Sequence, residues 1–283
     1  MIDKNMDVKT KLRKIIEMCN IRWENIISEI EVCGWWNSTK FDITPDEFIN
    51  FAKEDYKADN RKALINALSN SKRAIDSHAD SILYNYGYKP KRIERLSNYP
   101  GIKTIIDEYK KESELLSGIP LKFKFLQSIG IAPQSVIYRI RKLRNLLEHE
   151  YKLPEKQEVL ESIEIAEMFI KSSRHSMFEL SIGRFIFGTK IYTEKNRRFI
   201  LRRFKKSIEV DFKYNEEKYG DIHFNISALD SAYNTILKVE VYPKDDQYIY
   251  FLLIHLHQEW NYLPLAFGYD NKIINLNVRE ESM

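Results

Sequence analysis

The sequence predicts an α+β fold, in which an N-terminal all-helical bundle is followed by a C-terminal, antiparallel β-rich domain. Apolar residues recur every three or four positions as far as about residue 175, and from about Met177 they alternate with polar residues. The 283 residues suffice for one large or two ordinary domains, and scarce glycine and proline argue against a disordered linker. We therefore expect a helical domain at residues 1–175 and a β-rich domain at residues 176–283.

The first helices follow from apolar spacing and from helix-start signals. Residues 8–33 have apolar side chains at helical steps and end before Gly34, which predicts one helix. Thr44, followed by a proline and two acids, is a typical helix start, because its hydroxyl caps the first turn. Further helices are predicted at residues 60–86 and 102–117.

Two adjacent helices are predicted in the middle of the chain. Residues 134–149 carry an apolar stripe that includes Val136, Ile140 and Leu147, and Pro154 prevents this helix from continuing. Residues 155–172 carry a second stripe. A short turn between the two helices favours an antiparallel pair.

The C-terminal third shows the period of a half-buried β-strand. Alternation is clear at residues 208–214, 222–226, 237–241 and 274–278. Residues 247–257 are apolar throughout, which indicates a central strand, and on it His255 and His257 would share a face in a structural role. At least five antiparallel strands are expected.

The residues most informative about function close the helix at 134–149, in the run Arg144-Asn145-Leu146-Leu147-Glu148-His149-Glu150-Tyr151. His149 suits proton transfer, because its unperturbed pKa is about 6.5. Arg144 suits the stabilisation of a phosphate, since a guanidinium stays charged and offers a planar fork of donors. Asn145 lies four residues before His149 and would share its helix face, and Tyr151 would add a hydroxyl at the edge of the site.

A purely structural interpretation of the same residues stands beside this one. Glu148 lies four residues after Arg144, so the two side chains would form an ion pair on a solvated helix face. A histidine near a helix C-terminus, such as His149, is also favoured by the helix dipole.

The spacing of Arg144, His149 and Tyr151 resembles the motif of the HEPN superfamily, and the resemblance covers about residues 60–174. The resemblance implies an all-helical domain and, for many members, a metal-independent ribonuclease of a prokaryotic toxin–antitoxin or antiphage defence system. It implies that Arg144 and His149 are catalytic, with Asn145 and Tyr151 in support. It also implies a homodimer whose two chains form a composite cleft, and cleavage by the RNA 2′-hydroxyl to leave a 2′,3′-cyclic phosphate. RNA is then the substrate, no cofactor or metal is expected, and an antitoxin or defence protein is a possible partner.

Charge and composition are compatible with this expectation but do not single it out. The net charge is only +4, although residues 121–147 carry six basic side chains and no acidic one. Two cysteines, no apolar run long enough to cross a membrane and a polar N-terminus predict a cytoplasmic protein without a membrane partner.

The alternative function is a non-catalytic HEPN-type protein that dimerises and holds a ligand or a partner protein. Dependence of growth arrest on Arg144 and His149 would separate the two. The family also includes toxins whose tyrosine at this position is nucleotidylated by a partner enzyme, and that tyrosine would here be Tyr151.

Overall fold

The computed structural model describes residues 6–32, 41–112, 118–133, 153–179, 182–189, 191–195, 200–214, 221–270 and 276–279, together with six positions between 135 and 145. By their internal contacts the residues divide into two units. The sheet unit comprises residues 1–35, 99–101 and 177–283, and the helical unit comprises residues 36–98 and 102–176. The division after residue 176 lies beside the predicted one, whereas residues 1–35 belong with the sheet and not with the helical bundle.

Helices occur in both units, and the strands belong to the sheet unit. The helices of the described residues are α1 (Val8–Cys19), α2 (Pro45–Ala58), α3 (Arg61–Asn85), α4 (Pro90–Ile93), α5 (Pro100–Glu112), α6 (Leu121–Ser128), α7 (Lys156–Glu179), α8 (Tyr248–His257) and α9 (Leu263–Ala266), with 3₁₀ turns at Leu96–Asn98 and Trp260–Tyr262. The strands are β1 (Ile26–Val32), β2 (Ile182–Gly188), β3 (Ile191–Lys195), β4 (Ile200–Phe204), β5 (Ser207–Tyr214), β6 (Ile222–Leu229), β7 (Thr235–Val241) and β8 (Leu276–Arg279). The predicted α+β class, with helices first and an antiparallel sheet in the C-terminal part, is confirmed.

The main sheet of the described residues has six strands in the order β7-β6-β5-β2-β1-β8. Neighbours from β7 to β1 are antiparallel, and β8 runs parallel to β1 at the edge. The predicted alternation is seen in β5, where Ile208 and Val210 are buried while Lys213 is exposed. Strands β3 and β4 form a separate two-stranded hairpin.

The prediction of one helix over residues 8–33 is wrong in its second half. Helix α1 ends at Cys19, because Asn20 adopts a left-handed conformation (φ 51°) that stops the helical hydrogen bonding. Residues Ile26–Val32 then form β1, which pairs with β2 and β8. Their β-branched side chains fit a pleated strand, and the apolar spacing alone fitted either element.

The prediction of a central strand at residues 247–257 is also wrong, since Tyr248–His257 form α8. Every side chain from Tyr248 to Leu256 except Tyr250 is buried. A helix that is covered on all sides needs no polar stripe, so its sequence lacks the helical period. His255 and His257 therefore do not share a face: His255 is buried, and its Nδ1 donates a hydrogen bond to the Ile182 carbonyl, whereas His257 is exposed.

The helical unit begins at the cap that the sequence predicted. The Glu47 amide donates to the Thr44 hydroxyl (3.2 Å), and the Thr44 amide donates to the Glu47 carboxylate (2.8 Å), which completes a capping box at the start of α2. Helices α2, α3 and α7 then share one apolar core, formed by Ala52, Ala67, Leu68, Val159 and Ile163. This core fixes the two long helices, α3 and α7, on which the polar contacts of the candidate site depend.

Candidate functional site

The predicted catalytic motif lies largely outside the described residues, which contain Asn145 but not Arg144, His149 or Tyr151. Asn145 is helical and half-buried. The other described positions of the preceding segment are helical as well, namely Ser135, Val136, Tyr138, Arg139 and Lys142. The described positions of this segment are thus helical up to Asn145, and the roles of the three undescribed residues stay predictions.

Two ion pairs place this motif helix against the start of α7. Arg139 Nη1 lies 3.2 Å from Glu161 Oε2, and Lys142 Nζ lies 3.8 Å from Glu158 Oε1. A step of three residues forward along one helix thus matches three residues backward along the other, so the two helices are antiparallel neighbours. The same register brings Asn145 level with Glu155, one residue before α7 begins.

Three of the six basic side chains in residues 121–147 meet a carboxylate in space. Residues 121–147 contain no acidic residue, yet Arg139 and Lys142 each meet a glutamate of α7. Lys122 of α6 is also paired, because its Nζ lies 3.1 Å from Asp76 Oδ1 and 2.9 Å from Asp80 Oδ1, both on α3. The acid-free run therefore overstates the positive field beside the candidate site.

The contact of Lys122 with two aspartates joins α6 to α3. The Lys122 side chain is only 16% exposed, so the pair is partly withdrawn from water. Burial raises the pKa of Asp80, and the Lys122 ammonium opposes that rise. Asp76 and Asp80 lie one helical turn apart, which lets both carboxylates reach the same ammonium group.

His78 faces the other side of α3 and is closed off from solvent (0% exposed). Its Nε2 lies 2.6 Å from the Ser173 hydroxyl on α7, and that hydroxyl donates to the Phe169 carbonyl (2.6 Å). Because the Ser173 hydroxyl donates its proton to the Phe169 carbonyl, its oxygen is the acceptor in the contact with His78. His78 must therefore carry its proton on Nε2. Burial, followed by the nearby Arg174 charge, lowers the pKa of His78 to about 3, so the imidazole is neutral.

Arg174, next to Ser173 on α7, forms a two-point ion pair with Asp46 in the first turn of α2. Its Nη1 lies 3.0 Å from Oδ1 and its Nη2 lies 2.5 Å from Oδ2. The hydrogen bond from Arg174 lowers the pKa of Asp46. The sequence indicated Asp46 only as a helix-start acid, because its partner lies 128 residues away.

The contacts of His78, Ser173, Arg174 and Asp46 form a polar connection among α2, α3 and α7. His78 and Ser173 are buried, whereas the Arg174–Asp46 pair is partly exposed, so the His78 imidazole takes a structural role. The pairing of His78 with Ser173 has no signal in the sequence, because a polar residue on a buried helix face looks like a break in the apolar stripe.

Among the residues that the structure describes, no group of three or more His, Cys, Asp or Glu side chains is arranged to hold a metal ion. Within the same residues, no helix combines the length and apolar content needed to cross a membrane.

Comparisons with protein-family models, with curated proteins and with solved structures gave no significant match to this chain.

Proposed function

We propose that this protein is a metal-independent, HEPN-like endoribonuclease of a prokaryotic toxin–antitoxin or antiphage defence system, acting in the cytoplasm. The observation that carries the proposal is the spacing of Arg144, His149 and Tyr151 at the end of the helix that the sequence predicts at residues 134–149. The antiparallel packing of the described part of that helix on α7, through the contacts of Arg139 and Lys142, supports it, because the sequence predicts this pair of helices beside the motif.

In the proposed reaction the 2′-oxygen of one nucleotide attacks the neighbouring phosphorus, and the bond from phosphorus to the next 5′-oxygen breaks. The 2′-hydroxyl gives up its proton and the leaving oxygen gains one, so the products carry a 2′,3′-cyclic phosphate and a 5′-hydroxyl. His149 transfers a proton, and Arg144 stabilises the charge that gathers on the phosphate oxygens. Asn145 orients the His149 ring, and Tyr151 supports the site from its edge.

The proposed active form is a homodimer. Positions five apart on a regular helix diverge by roughly 140°, so Arg144 and His149 of one chain converge poorly on one phosphate. A two-fold pairing would bring two copies of each residue around one cleft and would supply both a base and an acid. Light scattering should therefore give twice the mass of one chain, and a monomer at working concentrations would contradict the composite site.

The test of catalysis is incubation of the purified protein with total RNA and excess chelator, followed by mapping of the cleaved ends. We expect chelator-resistant cleavage that His149→Ala abolishes without changing the circular dichroism spectrum. His257→Ala, which removes an exposed imidazole at the end of α8, is the matched control and should cleave normally. Undiminished cleavage by His149→Ala would refute the assignment, and chelator-sensitive cleavage would point to a metal enzyme.

A non-catalytic HEPN-like protein that dimerises and holds a ligand or an antitoxin is the second candidate. The pairing of Lys122, Arg139 and Lys142 with carboxylates favours it, because paired cations attract RNA phosphates less strongly. Expression in cells separates the two proposals. Growth arrest that survives Arg144→Ala and His149→Ala supports binding, and arrest that both substitutions remove supports cleavage.

A further inference from the structure

A basic pocket lies on the helical unit at the segment that holds α4 and the following 3₁₀ turn. Its lining consists of Lys91, Arg92, Arg95 and Asn98, and its volume is about 370 Å³. All four side chains are exposed.

Three of these side chains stand on successive turns of the backbone. Hydrogen bonds link Arg92 N to Lys89 O (2.8 Å), Arg95 N to Arg92 O (3.1 Å) and Asn98 N to Arg95 O (2.9 Å). The first bond lies at the start of α4, the second at the bend that follows it and the third in the 3₁₀ turn. Arg92, Arg95 and Asn98 line the same concavity.

Buried side chains anchor the backbone of this segment. Ile93, between the two arginines, is fully buried. Tyr88, just before the segment, is also buried and packs edge-on against Phe125 of α6, with ring centroids 5.1 Å apart. The Asn98 side-chain amide also links the two turns, because it donates a hydrogen bond to the Arg92 carbonyl (3.2 Å). The positions of the cations are thus fixed at the backbone, while their side chains stay accessible.

The charge of the pocket is not neutralised within the described residues. There, none of the side chains of Lys91, Arg92 and Arg95 lies within ion-pair distance of a carboxylate. They differ in this respect from Lys122, Arg139 and Lys142, which pair with acids. Two guanidinium forks and an ammonium around one concavity present donors only, which is the arrangement that phosphate oxygens require.

We propose that this pocket binds backbone phosphates of single-stranded RNA, a ligand class that rests on the proposed ribonuclease function. The pocket is larger than a lone phosphate needs, and its size falls at the lower end of that of ligand sites, which suits one nucleotide of a strand. Arg92 and Arg95 contact phosphate oxygens, and Lys91 adds a third positive charge at the pocket. The pocket anchors the strand but takes no part in cleavage.

The test measures binding without cleavage, by fluorescence anisotropy of the full chain with a labelled, single-stranded RNA whose 2′-hydroxyls are methylated. Such RNA cannot undergo attack by its own 2′-oxygen. Affinity is measured between about 50 and 200 mM salt for the wild type and for Arg92→Gln/Arg95→Gln. Each lost phosphate contact to a single strand lowers the salt slope by about 0.7, so two lower it by about 1.4. Across that salt range the wild type should lose about sevenfold more affinity than the variant.

The matched control is Lys103→Gln/Lys110→Gln, which removes two exposed cations of α5 that both pair with Asp107. It changes the net charge equally and should keep the wild-type salt slope. If the double arginine variant loses its circular dichroism spectrum, Arg95→Gln alone should lower the slope by about 0.7.

Any of three results overturns the pocket as an RNA site. These are an unchanged salt slope in the arginine variants, an equal loss of salt slope in the lysine control, and no binding of RNA by the wild type. Binding of a free mononucleotide that the labelled RNA does not displace overturns the strand as ligand. The two proposals fail separately. RNA binding that needs the arginines, without any cleavage of ordinary RNA, supports the pocket and contradicts the ribonuclease. Cleavage with an unchanged salt slope overturns the pocket alone.

Discussion

Replacing His78 by glutamine should remove a large part of the acid sensitivity of the fold. In the folded chain burial lowers the pKa of His78 from 6.5 to about 3. In the unfolded chain the imidazole titrates near its ordinary value of about 6.5. Because the unfolded state binds the extra proton, the free energy of unfolding falls as the pH drops below about 6.5, and it continues to fall until about pH 3.

The size of the effect depends mainly on the unfolded pKa. At about pH 5 the solution is roughly 1.5 units below that value, so the stability lost relative to about pH 7.5 is about 2 kcal/mol. The folded pKa of about 3 is too far away to change this figure. Glutamine does not titrate, and its amide retains a donor for the Ser173 oxygen, so the variant lacks this component of the pH dependence.

The assay is urea unfolding followed by circular dichroism at both pH values. His255 is also buried, with its pKa lowered to about 4 by burial, and it contributes in the same direction in both proteins. The difference between wild type and His78→Gln therefore isolates His78. Equal losses of stability in the two proteins would refute the reasoning. If the variant does not fold, nitrogen NMR of the wild type should still find the neutral, Nε2-protonated ring at pH 5, and a charged ring would be equally damaging.

Two further predictions concern packing. Ile163→Ala should lower the free energy of unfolding by about 3 kcal/mol in urea, because Ile163 lies in the shared core of α2, α3 and α7. Ile65→Ala, at a position 37% exposed, should cost well under half of that. Equal costs would mean that Ile163 is not in a packed core. Gly188→Ala should cost about 1 to 3 kcal/mol in the same assay, because a Cβ there would lie 2.7 Å from a Phe204 ring carbon and 2.9 Å from the Lys206 carbonyl; a neutral result would show that the hairpin moves aside freely.

The sequence predicted the elements whose signals are local. The Thr44 capping box and the alternation in β5 depend only on neighbouring residues, and both were located correctly. It failed where burial on all sides removes the period, as in α8, and where one spacing fits two elements, as in β1. Neither error could be corrected locally, since both depend on the strands and helices that surround these segments.

Of the candidate site, the sequence supplied the motif but not the charge around it. Within the acid-free run, Lys122, Arg139 and Lys142 form ion pairs with carboxylates of α3 and α7, which are remote from them in sequence. Conversely, Arg92 and Arg95 line one basic pocket because of the turns that the backbone makes between them. In both cases the effective charge depends on tertiary structure and not on the number of basic residues in a segment.

The environment of His78 excludes this histidine as a general base in the helical unit. A general base must exchange protons with its substrate near neutral pH. His78 cannot do so, because it is fully buried, its Nε2 proton is held by Ser173, and its pKa lies near 3. The remaining histidines of that unit are His149 and His175, and His175 lies exposed on α7. If this protein cleaves RNA by histidine chemistry within the helical unit, the proton transfer therefore falls to one of these two, and only His149 has an arginine five residues before it. Loss of cleavage in His149→Ala but not in His175→Ala is the pattern that this reasoning requires.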